Sequence, residues 1–468
     1  MSRMTRSWGV PASIAALAVA AGVAVFLARR PQETVERPSA PRPSDPVPAL
    51  SEAAPASEAV APPAPKAART RAASAFEGLL EALRGGDRAK IQQALDELYV
   101  ELVPPPVPDA ENAALLYKKA FEKYQGELSD EEADILGRLS EHGHVTPDER
   151  AKLQALLDRN REALELLHQA AGRAKCNFNL DYTQGFRMEM PHIEGLIRGA
   201  KLLNLEALLA GKDGPAGSSY AALRLAEAVA DEPVLVSQLV RVVCHGIGNE
   251  ARQLALAGDV GRDHLLALVQ QFAPDRIRAS AEKTLLLELY SGVKLALGGD
   301  PAGVAPGVKI RRPDDPLGSH DLSLYAETLG EYAALAGRPY HEVRDRLQEI
   351  QTTTVNGAPW YAEMTRQMLP SLAKAAERQA VAEATLGTGQ LAAALKLYQQ
   401  AHGAYPASLD ALQTLLPALP VDPFTGRPYV YRREGSGFVV YSVGSDGADG
   451  GGVLGEFGEA DVVFRVPR

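Results

Sequence analysis

From about Ala75 to Ala384 apolar residues recur every three or four positions with charged residues between them, which predicts one amphipathic helix after another. Ala75 to Leu80 opens the first, and Ile91, Leu95, Leu98 and Tyr99 mark the apolar face of the next. The proline-rich run Val103 to Pro108 breaks the pattern. Asp109 then starts a helix carrying Leu115, Leu116, Ala120 and Phe121. Thr146-Pro147-Asp148-Glu149 is a capping box with proline in the first turn, and it predicts a long helix through Leu153, Leu156, Leu157, Leu164 and Leu167. Further helices are expected from about His192 to Leu209, Ser218 to Ala230, Pro233 to Leu256, Pro274 to Leu297, Leu322 to Ala336 and Tyr340 to Ile350, before a long one that ends near His402. Gly298 to Ser319 is a glycine- and proline-rich loop dividing this region. Short connections and no repeat of fixed period predict an irregular helical bundle or an α-solenoid-like middle.

After Gly403, which suits a left-handed helix stop, the pattern changes. Ser408 is placed to cap a short turn ending near Leu416. Leu419 to Pro428 carries proline-fixed backbone with one glycine. Tyr429-Val430-Tyr431, Phe438 to Tyr441 and Val462-Val463-Phe464 are β-branched and aromatic and read as strands, the first two joined by Glu434-Gly435-Ser436-Gly437 as a hairpin. Between the second and third strands lies an acidic, glycine-rich loop from Ser442.

Tyr405-Pro406 after the helix, Asp422-Pro423 with Gly426-Arg427-Pro428-Tyr429, Tyr441 to Gly447 and the late Asp461-Val462 stand in an order that resembles the C-terminal globular domain of the type II secretion system major pseudopilin. The resemblance covers roughly seventy residues, about a sixth of the chain. It implies a small α+β domain, one long helix against a three-stranded antiparallel sheet, and a calcium ion in the loop before the last strand. Asp446 matches a family ligand and Val443 a position offering its carbonyl. Asp449, Glu456, Glu459 and Asp461 are candidates for the remaining acidic ligand. The ligand set expected is Val443, Asp446, Asp449 and Asp461. A pseudopilin's basic leader and its glycine–phenylalanine processing site have no counterpart, so pilus formation does not carry over. The middle region resembles helical ectodomains of uncharacterised bacterial proteins, which bring no activity with them.

Val10 to Ala28 is uncharged and long enough to cross a bilayer as a helix, with Arg3 and Arg6 before it and Arg29-Arg30 after it. It reads as a retained signal-anchor, with a signal peptide cleaved after Ala20 as the alternative. Pro31 to Ser74 is proline- and alanine-rich without aromatics and reads as a disordered linker. The expected organisation is thus a transmembrane segment over 1–30, a linker over 31–74, a helical domain over 75–375 and a pseudopilin-like domain over 376–468. Residues 10–28 would meet the cytoplasmic (inner) membrane, and the bulk of the chain would lie in the periplasm or beyond.

The net charge of −10 and the lack of a basic-aromatic stripe argue against nucleic acid. Cys176 and Cys244, the only two cysteines, make no disulfide framework or zinc cluster; two buried thiols or one bridge are the options. No His-Glu-x-x-His, Gly-x-Ser-x-Gly or phosphate-cradling glycine loop is present. Three places remain as candidate chemistry. The apolar loop Cys176 to Pro191, with Phe178, Tyr182, Phe186, Met188 and Met190, is either a ligand groove or core. His192, Glu194, His245 and Glu250 would suit zinc if their helices are neighbours, against the alternative of satisfied core histidines. His142-Gly143-His144 lacks a third ligand nearby. The reading is an exported, mainly α, non-catalytic scaffold or protein-binding protein with an extracytoplasmic partner, a secretion machine among the candidates, and calcium as its one cofactor. The rival is a hydrolase or ligand-binding protein with its site in the helical domain.

Overall fold

The computed structural model describes residues 71–466, apart from 127–128, 143–144, 211–215, 299–309, 312, 371 and 454–459. Fifteen helices precede or frame three strands: α1 Arg71–Gly85, α2 Arg88–Leu102, α3 Ala114–Lys123, α4 Asp130–His142, α5 Pro147–Arg159, α6 Arg161–Ala171, α7 His192–Ala210, α8 Ala216–Ala226, α9 Leu235–Ala257, α10 Arg262–Gln271, α11 Ala281–Gly298, α12 Pro316–Ala336, α13 Tyr340–Glu349, α14 Glu363–Met368, α15 Leu372–His402, then β1 Val430–Glu434, β2 Gly437–Ser442 and β3 Val462–Val466. The expectation of a membrane-spanning element in this fold is corrected. Among the described residues no helix is long and apolar enough to cross a membrane. The reason is visible in α11, the buried helix of the body, where Glu282, Lys283, Glu288 and Lys294 interrupt every apolar run. Residues 10–28 and the linker 31–70 lie outside the described residues.

Caps set several boundaries. Asp87 accepts from the Ala89 and Lys90 amides and starts α2. The Thr146 and Glu149 side chains exchange hydrogen bonds with each other's backbone amides at the head of α5, as the sequence predicts. The long helix expected there is instead two, because Asn160 is buried and turns its amide outward from the helix. It accepts from the Gln125 N–H at 2.7 Å and donates to the Gln125 and Leu156 carbonyls. Asn160 thereby staples the loop after α3 to the break between α5 and α6. Ser408 holds no backbone amide; its hydroxyl donates to Asp410.

Packing is not sequential. Tyr99 of α2 meets Tyr290 of α11 at 5.4 Å between rings, and α1 lies along α12 with Phe76 against Gly330. In a solenoid each unit touches only its neighbours, so these crossings make the body an irregular bundle. The loop Cys176 to Pro191 contains a short 3-10 turn, Tyr182–Arg187, and buries Phe178, Tyr182 and Met188: it is core.

The three strands form an antiparallel sheet in the order β1-β2-β3, with Tyr441 opposite Val430 on one side and Val463 on the other. Phe438, Val440, Phe464 and Val466 face α15. That helix is covered on its other side as well, and its stretch Ala384–Leu395, apart from Thr385, is buried all round. A helix can be enclosed in this way only where its residues are small, and Ala-Thr-Leu-Gly-Thr-Gly-Gln-Leu-Ala-Ala-Ala supplies that. Gly387 leaves room for the Tyr429 hydroxyl and Gly389 for the Arg252 guanidinium of α9; a Cβ at either would overlap its neighbour. One apolar cluster therefore runs from Leu223, Leu256, Leu265 and Leu268 through Leu391 and Leu395 to Phe438 and Phe464. The sheet and the helical body share a core across α15.

Candidate functional site

The loop after β2 separates the expected calcium ligands. Asp446 is exposed and its carboxylate accepts from the Ala448 N–H two residues on. Asp449, also exposed, accepts from the Tyr441 hydroxyl at 2.7 Å and from the Gly451 N–H; these bonds hold its carboxyl below the usual range and push the Tyr441 phenol, already raised by burial, up to about 12. Asp461 is fully buried, and its two oxygens accept from the amides of Gly450, Gly452 and Val453. Val443 donates its N–H to Asp422 at 3.1 Å. Glu456 and Glu459 lie outside the described residues. Calcium takes six to eight oxygens. Here the buried Asp461 carboxylate faces N–H donors, whose positive ends repel a cation, so Asp461 as placed does not present itself to the ion. Among the described residues no three His, Cys, Asp or Glu side chains gather where they could hold a metal.

Asp422 is the organising carboxylate that sequence reasoning passed over, having read Asp422-Pro423 as a turn. It is buried, accepts from the Phe424 amide, the Ser442 hydroxyl at 2.9 Å and the Val443 amide, and its own backbone closes the turn with Gly426 and Arg427. It joins that turn to the end of β2. The turn in turn rests on α13, where the His341 N–H donates to the Pro423 carbonyl and Tyr340 meets Phe424 edge to face. An Asp two residues before an apolar amide was the available signal.

In the helical body the four residues considered for zinc belong to four arrangements. His192 meets Glu232 at 3.1 Å, both buried, with the Ser237 hydroxyl donating to the same carboxylate oxygen and Phe178 stacked on the imidazole. His245 meets Glu227 at 2.7 Å, and Arg241 grips the same carboxylate through Nε and an NH2 group. Glu194 pairs with Arg198, and Glu250 accepts from Asn204. His144 lies outside the described residues.

The Glu227–His245 pair has a definite charge state. Burial alone would raise the Glu227 carboxyl, but Arg241 and the His245 hydrogen bond outweigh it and hold it at about 2. Burial lowers His245 against the pull of Glu227, so the ring is neutral near pH 7; its Nε2–H donates to the carboxylate. A serine or cysteine nucleophile needs a base that accepts its proton. Ser237 instead donates to the carboxylate, and Cys244 is a buried free thiol pushed up to about 12 by its surroundings. Cys176 is likewise free. His192 and His245 each tie their helix to another segment of the chain, whereas Glu194 pairs with Arg198 within α7.

The described concavity of a different character lies between α9, α12, α13 and α15. It is a cavity of about 80 Å³ walled by Leu335, Val343, Leu347, Leu372, Ala376 and Ala380. At its edge Arg278 meets Glu383 at 3.0 Å, and burial raises the Glu383 carboxyl against that partner. The Tyr332 hydroxyl is buried with no protein partner. No family model, curated protein or solved structure matches the chain.

Proposed function

We propose that this protein is a non-catalytic binding protein, exported from the cytoplasm, that engages a protein partner through the apolar cleft formed by α12, α13 and α15, and that its C-terminal unit is of the pseudopilin type. One contrast carries the reading. His192 and His245 are spent on buried pairs with Glu232 and Glu227, whereas the cleft is walled mainly by aliphatic groups and holds the Arg278–Glu383 pair at its rim. Apolar concavities with a few polar groups at the edge are the usual places of recognition. The C-terminal unit has a long helix and three antiparallel strands, and α9 and α10 cover the side of that helix away from the sheet. This favours a scaffold over a filament-forming role.

The test fills the cleft. Ala376 is half-buried on its wall, and Ala376→Trp should occlude it while leaving the circular dichroism unchanged. A protein captured from the cell envelope by the wild-type chain should be recovered at least about tenfold less by the variant, the loss expected when 1.4 kcal/mol of contact is removed. Equal recovery by both chains would overturn the reading. So would turnover on ester, peptide or glycoside substrates that disappears with His192→Ala.

A further inference from the structure

We infer that residues 443–453, the described first part of the loop after β2, are latched by a carboxylate where a metal ion would otherwise be needed, and that their order is independent of calcium. The latch is Asp461, the residue before β3, fully buried. Its Oδ1 accepts from the Gly450 N–H at 3.2 Å, and its Oδ2 from the Gly452 N–H at 2.7 Å and the Val453 N–H at 3.2 Å. Three amides separated by so few residues can point at one carboxylate only if the chain curls on itself. Gly451 and Gly452 make that curl with φ of 77° and 78°, a pair of left-handed residues that a side chain would strain. The result is a small anion-binding concavity built by the loop and filled by the chain's own carboxylate.

The outward side of the curl is closed by cations. Arg432 of β1 donates to the Gly451 carbonyl at 2.7 Å, and Arg465 of β3 donates to the Gly452 carbonyl at 3.1 Å. The backbone oxygens nearest the latch are thus committed to guanidinium groups. To gain Asp461 or the Gly451 and Gly452 carbonyls as ligands, a calcium ion would have to displace three charge-assisted amide bonds and two arginines. The latch also fixes the loop to the sheet. A Cβ at Gly452 would stand 3.3 Å from both the Tyr441 ring and Val439, so the bare backbone lies flat on the outer face of β2. Tyr441 then reaches Asp449 beyond it. Loop, latch and outer sheet face form one unit without an ion.

The experiment uses the full chain, with calcium chloride alone as the probe. Thermal unfolding of the wild type should give the same midpoint in millimolar calcium and in chelator, and calorimetric titration should show no stoichiometric uptake. Asp461→Asn keeps the shape of the side chain but turns one oxygen into a donor facing donors. Hydrogen exchange at Gly450, Gly452 and Val453 should then speed up by about tenfold or more, with or without calcium. Asp446→Ala leaves the latch intact and should leave that exchange unchanged. A midpoint raised by calcium in the wild type, stoichiometric calcium uptake, or unchanged exchange in Asp461→Asn would each overturn the inference.

Discussion

Gly389→Ala should destabilise the protein by about 3 kcal/mol, although the same exchange in an ordinary helix interior stabilises by about 1 kcal/mol. The added methyl would stand where the Arg252 guanidinium lies. Arg252 is fully buried and has no carboxylate partner among the described residues. It is held by the Asn249 side chain, by the Thr385 carbonyl at 2.9 Å and by the face of Phe464 at 5.6 Å. Burial lowers even this guanidinium, to about 9. Displacing it would strip a cation of its hydrogen bonds in a place water does not reach, which adds to the overpacking. Gly246→Ala is the control. It lies on α9, exposed, with open space around it, and should show the ordinary stabilisation. Urea unfolding of both variants decides the matter, and a stabilised Gly389→Ala would mean that Arg252 does not sit against α15. Arg252→Met should recover part of the loss in the double variant, because the two substitutions act on one contact.

Glu227→Gln should cost about 3 to 5 kcal/mol at pH 7, the range for breaking a buried ion pair from one side. Arg241 would remain enclosed without its counter-charge, and the glutamine could satisfy only part of what the carboxylate accepts from Arg241 and His245. The pH dependence identifies the cause. A carboxyl held at about 2 in the folded chain, against 4.5 as its ordinary value, binds its proton more readily when unfolded. Its stabilising effect is therefore complete above about pH 5 and is lost as pH falls from 4.5 towards 2. The urea midpoints of wild type and Glu227→Gln should differ most at pH 6 to 7, draw together below pH 4.5 and converge only towards about pH 2. Parallel curves over that range would show that Glu227 is not held in its charged form.

Local chemistry explains what could be read in advance. The Thr146–Glu149 box, the left-handed stop at Gly403 and the hairpin at Gly435 depend on residues within a few positions of one another, and all three are present. The break at Asn160 was hidden because both halves keep the same apolar spacing, and the partner that pulls the side chain aside, Gln125, is distant in sequence. For the same reason the histidines could be listed but not paired: His192 finds Glu232 and His245 finds Glu227 only once the helices have packed. Periodicity shows which positions avoid water, but it does not show what covers them. In α15 the trace of a second neighbour was the pair Gly387 and Gly389, too costly in helix propensity to stand in mid-helix without a close approach to permit. The loop after Ser442 misled in the opposite way. Its acids were visible, but whether Asp461 meets a cation or amides depends on the curl at Gly451 and Gly452.

The enclosure of α15 also dictates when the molecule can be finished as it is made. Arg252 bonds to Thr385, Val269 to Gln390 and Val260 to Gln400, pairs separated by 133, 121 and 140 residues. The flank of α8, α9 and α10, with Leu223, Leu256, Leu265 and Leu268, therefore emerges from the ribosome long before the helix that covers it. At ordinary elongation rates of about 5 to 20 residues per second, that flank waits many seconds for its cover. A chain interrupted by a stop codon or a nick before Leu372 keeps the flank bare permanently. Such fragments would present that apolar flank to chaperones and proteases.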